Sequence, residues 1–219
     1  MTLRTERWTG IAGLVVLASV IAGIVFETMG PNLSMTPQQM YDSFKTANTA
    51  VLAAGAILLV QKIVLVGFAA GLAALVARGE KEPLLSRVVF AAGVLQVAIT
   101  MVYVTTYIAV ASVVNQLSVP IVFGIFTVGD SMDLAGSPFL GLMFAGAGYG
   151  LVRARLLPRW LGRFGMVAGG LLVIGSFSIL APQSFFLSMP MLLGVLLALV
   201  WLLVANIALI RTRQPAASA

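Results

Sequence analysis

The run AILLVQKIVLVGF, residues 56–68, holds a glutamine and a lysine inside an otherwise apolar stretch. A charged residue at the centre of a lone membrane helix costs about 2.5–3.5 kcal/mol on insertion scales, so Gln61 and Lys62 need partners or a route to water. Three groups of residues could supply partners. Glu27 closes the first apolar run, and Asp130 and Asp133 lie three apart before the fourth. Gln96, Thr100, Tyr103 and Tyr107 follow 4-3-4 spacing, which sets them on one helical stripe. Rises counted from the basic ends bring Tyr103 level with Lys62. A lysine–carboxylate pair flanked by tyrosine hydroxyls and amides would make a polar pocket for a small amphipathic or anionic molecule, a lipid among them. A desolvated lysine can also serve as base or Schiff-base nucleophile, and paired carboxylates can share acid–base work.

Each feature has a plainer explanation. Residues 50–77 form an apolar stretch of about 42 Å as a helix, longer than a hydrocarbon core of about 30 Å. On such a helix Lys62 could run its flexible stem outward to water. The stripe could consist of interhelical hydrogen bonds worth about 0.6 kcal/mol apiece.

The elements that position these residues follow from composition. The chain has 219 residues, 60% hydrophobic and 9% charged. A soluble domain carries about a quarter charged residues, so this surface belongs in a bilayer. Cysteine and histidine are both absent, which removes disulfides, thiolate nucleophiles, histidine bases and the usual zinc, haem and iron–sulfur ligand sets. No metal or cofactor is expected. Six stretches are long enough to span, at about 8–27, 49–77, 88–114, 137–153, 164–181 and 190–210. With these spans, eleven of the thirteen Lys/Arg residues fall on one side; Lys45 falls on the other and Lys62 within a span. The positive-inside rule makes the basic side cytoplasmic, with both termini there. The net charge of +6 is therefore read as topology, with no nucleic-acid partner. The first span, lacking a small-residue cleavage site, reads as an uncleaved helix.

The expected fold is all-α: a polytopic transmembrane bundle of six spans, residues 1–213 as one domain and 214–219 as a disordered tail. Two outer connections carry structure of their own. Thr36, Pro37 and Gln39 form a capping-box pattern that starts a short outer surface helix, with Met40, Tyr41, Phe44 and Ala47 on one face. Residues 117–139 have an apolar part too short to span and broken by Pro120 and Gly124, which reads as an interfacial or re-entrant segment before the fourth span. Gly67/Gly71, Gly146/Gly150 and Gly165/Gly169 are small-xxx-small pairs that let helices approach closely. Asn206 and Trp201 read as packing residues.

The segment LVRARLLPRWLGRFGMVAGGLL, residues 151–172, together with MDLAGSPFLGL before the fourth span, resembles a family of bacterial six-span membrane proteins known only as a domain of unknown function. The resemblance covers most of the chain. It implies six helices, cytoplasmic termini and a bacterial inner-membrane location, and it implies no activity. Physically, Pro158 and Gly162 make a tight turn, Trp160 anchors at the interface, and Arg159 and Arg163 meet anionic headgroups.

For function, the sequence favours binding or transport of a small molecule over an accessory subunit that scaffolds a membrane partner or a second copy of itself. An enzyme is not the favoured reading, because no GxSxG, HExxH, phosphate loop or metal cluster is present.

Overall fold

The structure, a computed structural model, describes residues 2–32, 35–81, 83–180 and 185–211, with the backbone alone at 2–4, 26–29, 185 and 187. Residues 212–219, which include the expected tail, lie outside the described residues. Seven α-helices are present among them: α1 (Thr2–Met29), α2 (Pro37–Thr46), α3 (Asn48–Ala77), α4 (Leu84–Val113), α5 (Val119–Arg153), α6 (Arg159–Gly175) and α7 (Phe185–Arg211). Short 3-10 turns at Val114–Gln116 and Ser176–Leu180 end α4 and α6. All but α2 are long and apolar enough to cross a membrane, so the chain is a multi-pass membrane protein.

The six long helices close into a ring, in which each packs on the next in the chain and α7 returns to α1. The described termini, the start of α1 and the end of α7, share one end of the bundle. There α1 and α7 meet at Gly10, where a Cβ would lie 2.8 Å from the carbonyl oxygen of Asn206, and at Gly13, which sits against the Asn206 amide. Asn206 is buried and donates Nδ2–H to Leu202 O at 2.6 Å, the packing role expected of it. Trp201 likewise packs, donating to Leu161 O at 3.0 Å and meeting Phe144 in a tilted ring contact with centroids 5.4 Å apart. Of the paired glycines, Gly71 meets Thr9, Gly146 meets Val89, Gly150 meets Val76, Gly165 meets Trp201 and Gly169 meets the Gly141 carbonyl. Gly67 is exposed, and a Cβ there would meet no other helix within 4 Å among the described residues, so it makes no close helix approach.

The capping box forms as its residue types require: Thr36 Oγ1 accepts the Gln39 N–H at 3.3 Å, and the Thr36 N–H donates to Gln39 Oε1 at 2.9 Å. The resulting α2 does more than lie on a surface. Met40 and Phe44 are fully buried, and Phe44 meets Tyr107 and Phe126 at ring centroid distances of 5.8 and 5.7 Å. α2 thus closes the end of the bundle opposite the termini.

Residues 117–139 do not form a separate re-entrant element. After the turn at Leu117 they enter the 35-residue α5, which continues without interruption to Arg153. Pro120 occupies the first turn, where its missing N–H has no intrahelical partner to lose. Pro138 lies inside the helix and Gly124 on its open face, and neither ends it. The physical reason is burial: Val122, Phe126 and Gly129 pack against α4 and α2, and tertiary packing outweighs the weak local propensity.

The apolar core is divided. One cluster, around Phe68, Leu72, Phe144 and Trp201, fills the end near the termini; the other, around Phe44, Tyr107, Val104 and Phe126, fills the opposite end. Gln61, Lys62 and Gln96 are buried where the two meet.

Candidate functional site

Lys62 stands at the middle of α3, with fourteen helical residues before it and fifteen after within Asn48–Ala77. Only 6% of it is exposed, so it lies in the bundle interior rather than along the lipid face. It shares with Gln61 the wall of a cavity of about 290 Å³ in the half of the bundle away from the termini. The polar wall is completed by Gln96 and Tyr103 of α4 and by Asp133 and Ser137 of α5. The apolar wall comes from α1, α6 and α7, through Val20, Leu172 and Val195. A smaller cavity of about 80 Å³ continues toward the termini between Leu65 and Phe144, and again touches Gln61, Lys62 and Gln96.

Helix periodicity explains the wall. Gln96 and Tyr103 are seven residues apart, two turns on one face, and span about 10.5 Å of cavity height. Asp133 and Ser137 are four apart on α5, one turn, and so also share a face. The α4–α5 contact that brings these pairs together needs Gly136, whose Cβ would lie 2.5 Å from Thr100 Cγ2 and 2.7 Å from Gln96 Oε1.

Asp133 is half-buried and within electrostatic range of Lys62, so among the described residues the cavity wall brings a cation and a carboxylate into interaction. The amide oxygens of Gln61 and Gln96 are buried without a hydrogen-bond partner among the described residues. A buried amide oxygen left unpaired costs about 1–3 kcal/mol, which makes these two atoms acceptors available to a molecule in the cavity.

The residues expected from sequence divide accordingly. Gln61, Lys62, Gln96, Tyr103 and Asp133 are brought to one cavity. Thr100 is fully buried against Gly136 and bonds to its own helix, Oγ1–H to Gln96 O at 2.8 Å, so it supports the wall without lining it. Tyr107 lies one turn beyond Tyr103 in the aromatic cap with Phe44 and Phe126, its ring centroid 5.7 Å from that of Tyr103. Asp130 is half-buried, within electrostatic range of Asp133 but off the cavity wall. Glu27 belongs to α1, and its side chain lies outside the described residues. Ser137 is the wall residue that sequence reasoning missed; its signal was its position one turn after Asp133.

At the basic end, Arg78 pairs with the buried Glu6 at 2.5 Å, tying the end of α3 to α1. Glu80 accepts the N–H groups of Leu85 at 2.8 Å and Ser86 at 3.2 Å and so caps the start of α4. Desolvation pushes the Glu80 carboxyl up, but the hydrogen bonds from Ser86 and Leu85, with the nearby Arg153 cation, outweigh it and hold the group below the usual carboxylate range.

No curated protein and no solved structure matches the chain. Residues 11–205 match the family described as a domain of unknown function, DUF4386, and with these residues forming the six-helix bundle the chain belongs to that family.

Proposed function

We propose that this protein, set in the bacterial cytoplasmic membrane with both termini in the cytoplasm, binds or transports a small amphipathic molecule in the cavity around Lys62. The orientation rests on the side chosen by eleven of thirteen basic residues. The observation that carries the function is the cavity itself. A lysine–aspartate pair kept only for structure would be expected in close-packed surroundings. Here the pair borders open volume, beside two amide acceptors that a ligand's donors could satisfy. Asp133 offsets the charge of Lys62, which favours a ligand head that both accepts and donates hydrogen bonds over a simple anion. The apolar side formed by Val20, Leu172 and Val195 suits a short hydrocarbon portion.

The test is extraction and mass spectrometry of small molecules that co-purify with the full chain in mild detergent. Wild type is expected to carry an amphipathic species that is depleted at least about tenfold in Lys62→Met and in Gln96→Leu, the equivalent of one lost charge-assisted contact. Identical extracts from wild type and both folded variants would remove the proposal.

A further inference from the structure

Apart from the cavity, and independent of any ligand there, the basic end of the bundle holds a second feature. α5 and α6 meet backbone to backbone near the turn that joins them: a Cβ on Gly148 would lie 2.7 Å from Gly162 O, and one on Gly162 would lie 2.7 Å from Gly148 O. Because neither glycine carries a side chain, a hollow of about 280 Å³ is left at the crossing, bordered by Tyr149, Val152, Arg159, Arg163 and Met166. A larger hollow of about 520 Å³ adjoins it, shares Val152 and Arg159, and adds Arg153 and Arg155. Among the described residues no acidic side chain lines either one.

The arginines do not all have the same freedom. Arg153 lies over the Tyr149 ring, 5.8 Å from its centroid, and interacts electrostatically with Glu80. Arg159 and Arg163, one turn apart on the same face of α6, are exposed and make no ion pair among the described residues. Around them the surface changes from polar to apolar along the helix axis. Trp160 is 62% exposed and Tyr149 47%, the amphipathic rings found where a membrane meets water, while Met166 and Val167 continue as exposed apolar surface toward the bilayer centre.

We infer that the hollow between α5 and α6 is a binding site for the phosphate head group of an anionic phospholipid, held by Arg159 and Arg163 with an acyl chain running along Met166. Two guanidinium forks one turn apart match the oxygens of one phosphodiester. The glycine crossing supplies the depth that an exposed basic patch lacks. The exposed aromatic residues set the hollow at head-group level.

Native mass spectrometry of the full chain in detergent, titrated with phosphatidylglycerol or phosphatidylcholine, reads the site directly. Wild type is expected to retain one phosphatidylglycerol in preference to phosphatidylcholine. An arginine near an anionic membrane contributes about fivefold in affinity, so Arg163→Gln should lose roughly fivefold and Arg159→Gln/Arg163→Gln about thirtyfold. Arg211→Gln, which removes a charge at the same end but outside the hollow, should stay within about twofold. If the double variant loses its helical circular dichroism, Arg163→Gln alone decides. Equal loss in Arg211→Gln would mean diffuse charge attraction and overturn the site. So would equal retention of the two lipids, an unchanged Arg163→Gln, or complete displacement of the lipid by millimolar inorganic phosphate.

Discussion

Lys62 of α3 and Asp133 of α5 border one cavity and interact electrostatically across it. Neither sits at a helix end where water could solvate it freely: Lys62 is at the midpoint of α3, and Asp133 is the fifteenth residue of the 35-residue α5. Removing one partner leaves the other charge in a poorly solvated place. Lys62→Met and Asp133→Asn are each expected to lower unfolding free energy in lipid nanodiscs by about 1–3 kcal/mol, less than for a fully buried pair because Asp133 is only half-buried. The double variant should recover to within about 1 kcal/mol of wild type, so that it loses less than the sum of the two single losses by at least about 1 kcal/mol. Strictly additive losses would show that the two charges act separately.

Close helix approach makes a second prediction, with a built-in control. At Gly10 a Cβ would press on the Asn206 carbonyl oxygen, a backbone atom that cannot rotate away. Gly10→Val should force α1 and α7 apart and cost about 1–3 kcal/mol, the range for overpacking. Gly67→Ala meets nothing within 4 Å. It should be neutral or stabilising by up to about 1 kcal/mol, the difference in helix propensity. Both follow from thermal unfolding monitored by circular dichroism, and a Gly67→Ala loss as large as that of Gly10→Val would contradict the packing described.

These cases show what the sequence made legible. Composition and apolar run length suffice for a six-span helical bundle, because the hydrocarbon core dictates segment length. Lys62 and Gln61 stand out because their cost in lipid is high whatever surrounds them. The fate of the stripe was not readable. Gln96, Thr100, Tyr103 and Tyr107 share a helical face, but a cavity has finite height and one open side. Gly136 closes against Thr100, and Phe44 from α2 caps Tyr107, so only Gln96 and Tyr103 reach the space. Likewise Pro120, Gly124 and Pro138 suggest a broken segment by local rules, and the packing of α5 on α4 and α2 overrides them. Such packing is a long-range property that periodicity does not encode.

Glu80 gives the bundle an acid-sensitive element outside the spans. Its carboxyl is held below the ordinary glutamate value of 4.5 by the α4 N–H groups it accepts. A depressed folded-state value means that the carboxylate form stabilises the fold. That contribution is complete above the unfolded-state value and is lost as pH falls through the folded-state value. Wild type should therefore unfold at a higher temperature than Glu80→Gln at about pH 7, with the gap narrowing as pH falls below 4.5 and through the lower folded-state value. A gap that stays constant with pH would mean that Glu80 acts through shape and not through charge.

Arg155 is the one described non-glycine residue with positive φ, at 58°. It occupies the position after the α5 cap, where a left-handed residue ends the helix. The bonds there are those of a Schellman turn: Leu156 N–H to Leu151 O at 2.9 Å, and Arg155 N–H to Val152 O at 3.0 Å. Glycine is the usual occupant, because a Cβ in this conformation costs about 1–2 kcal/mol. Arg155→Gly should accordingly stabilise the bundle by about 1 kcal/mol, seen as a higher unfolding temperature in nanodiscs of zwitterionic lipid. Arg155 borders the larger of the two basic hollows, so an arginine retained at an energetic disadvantage fits a role for its charge there. In nanodiscs containing phosphatidylglycerol the stabilisation from Arg155→Gly should shrink, because the variant forfeits one contact with anionic lipid, worth about 1 kcal/mol. An equal gain in both lipids would leave the turn geometry as the whole effect and remove Arg155 from lipid binding.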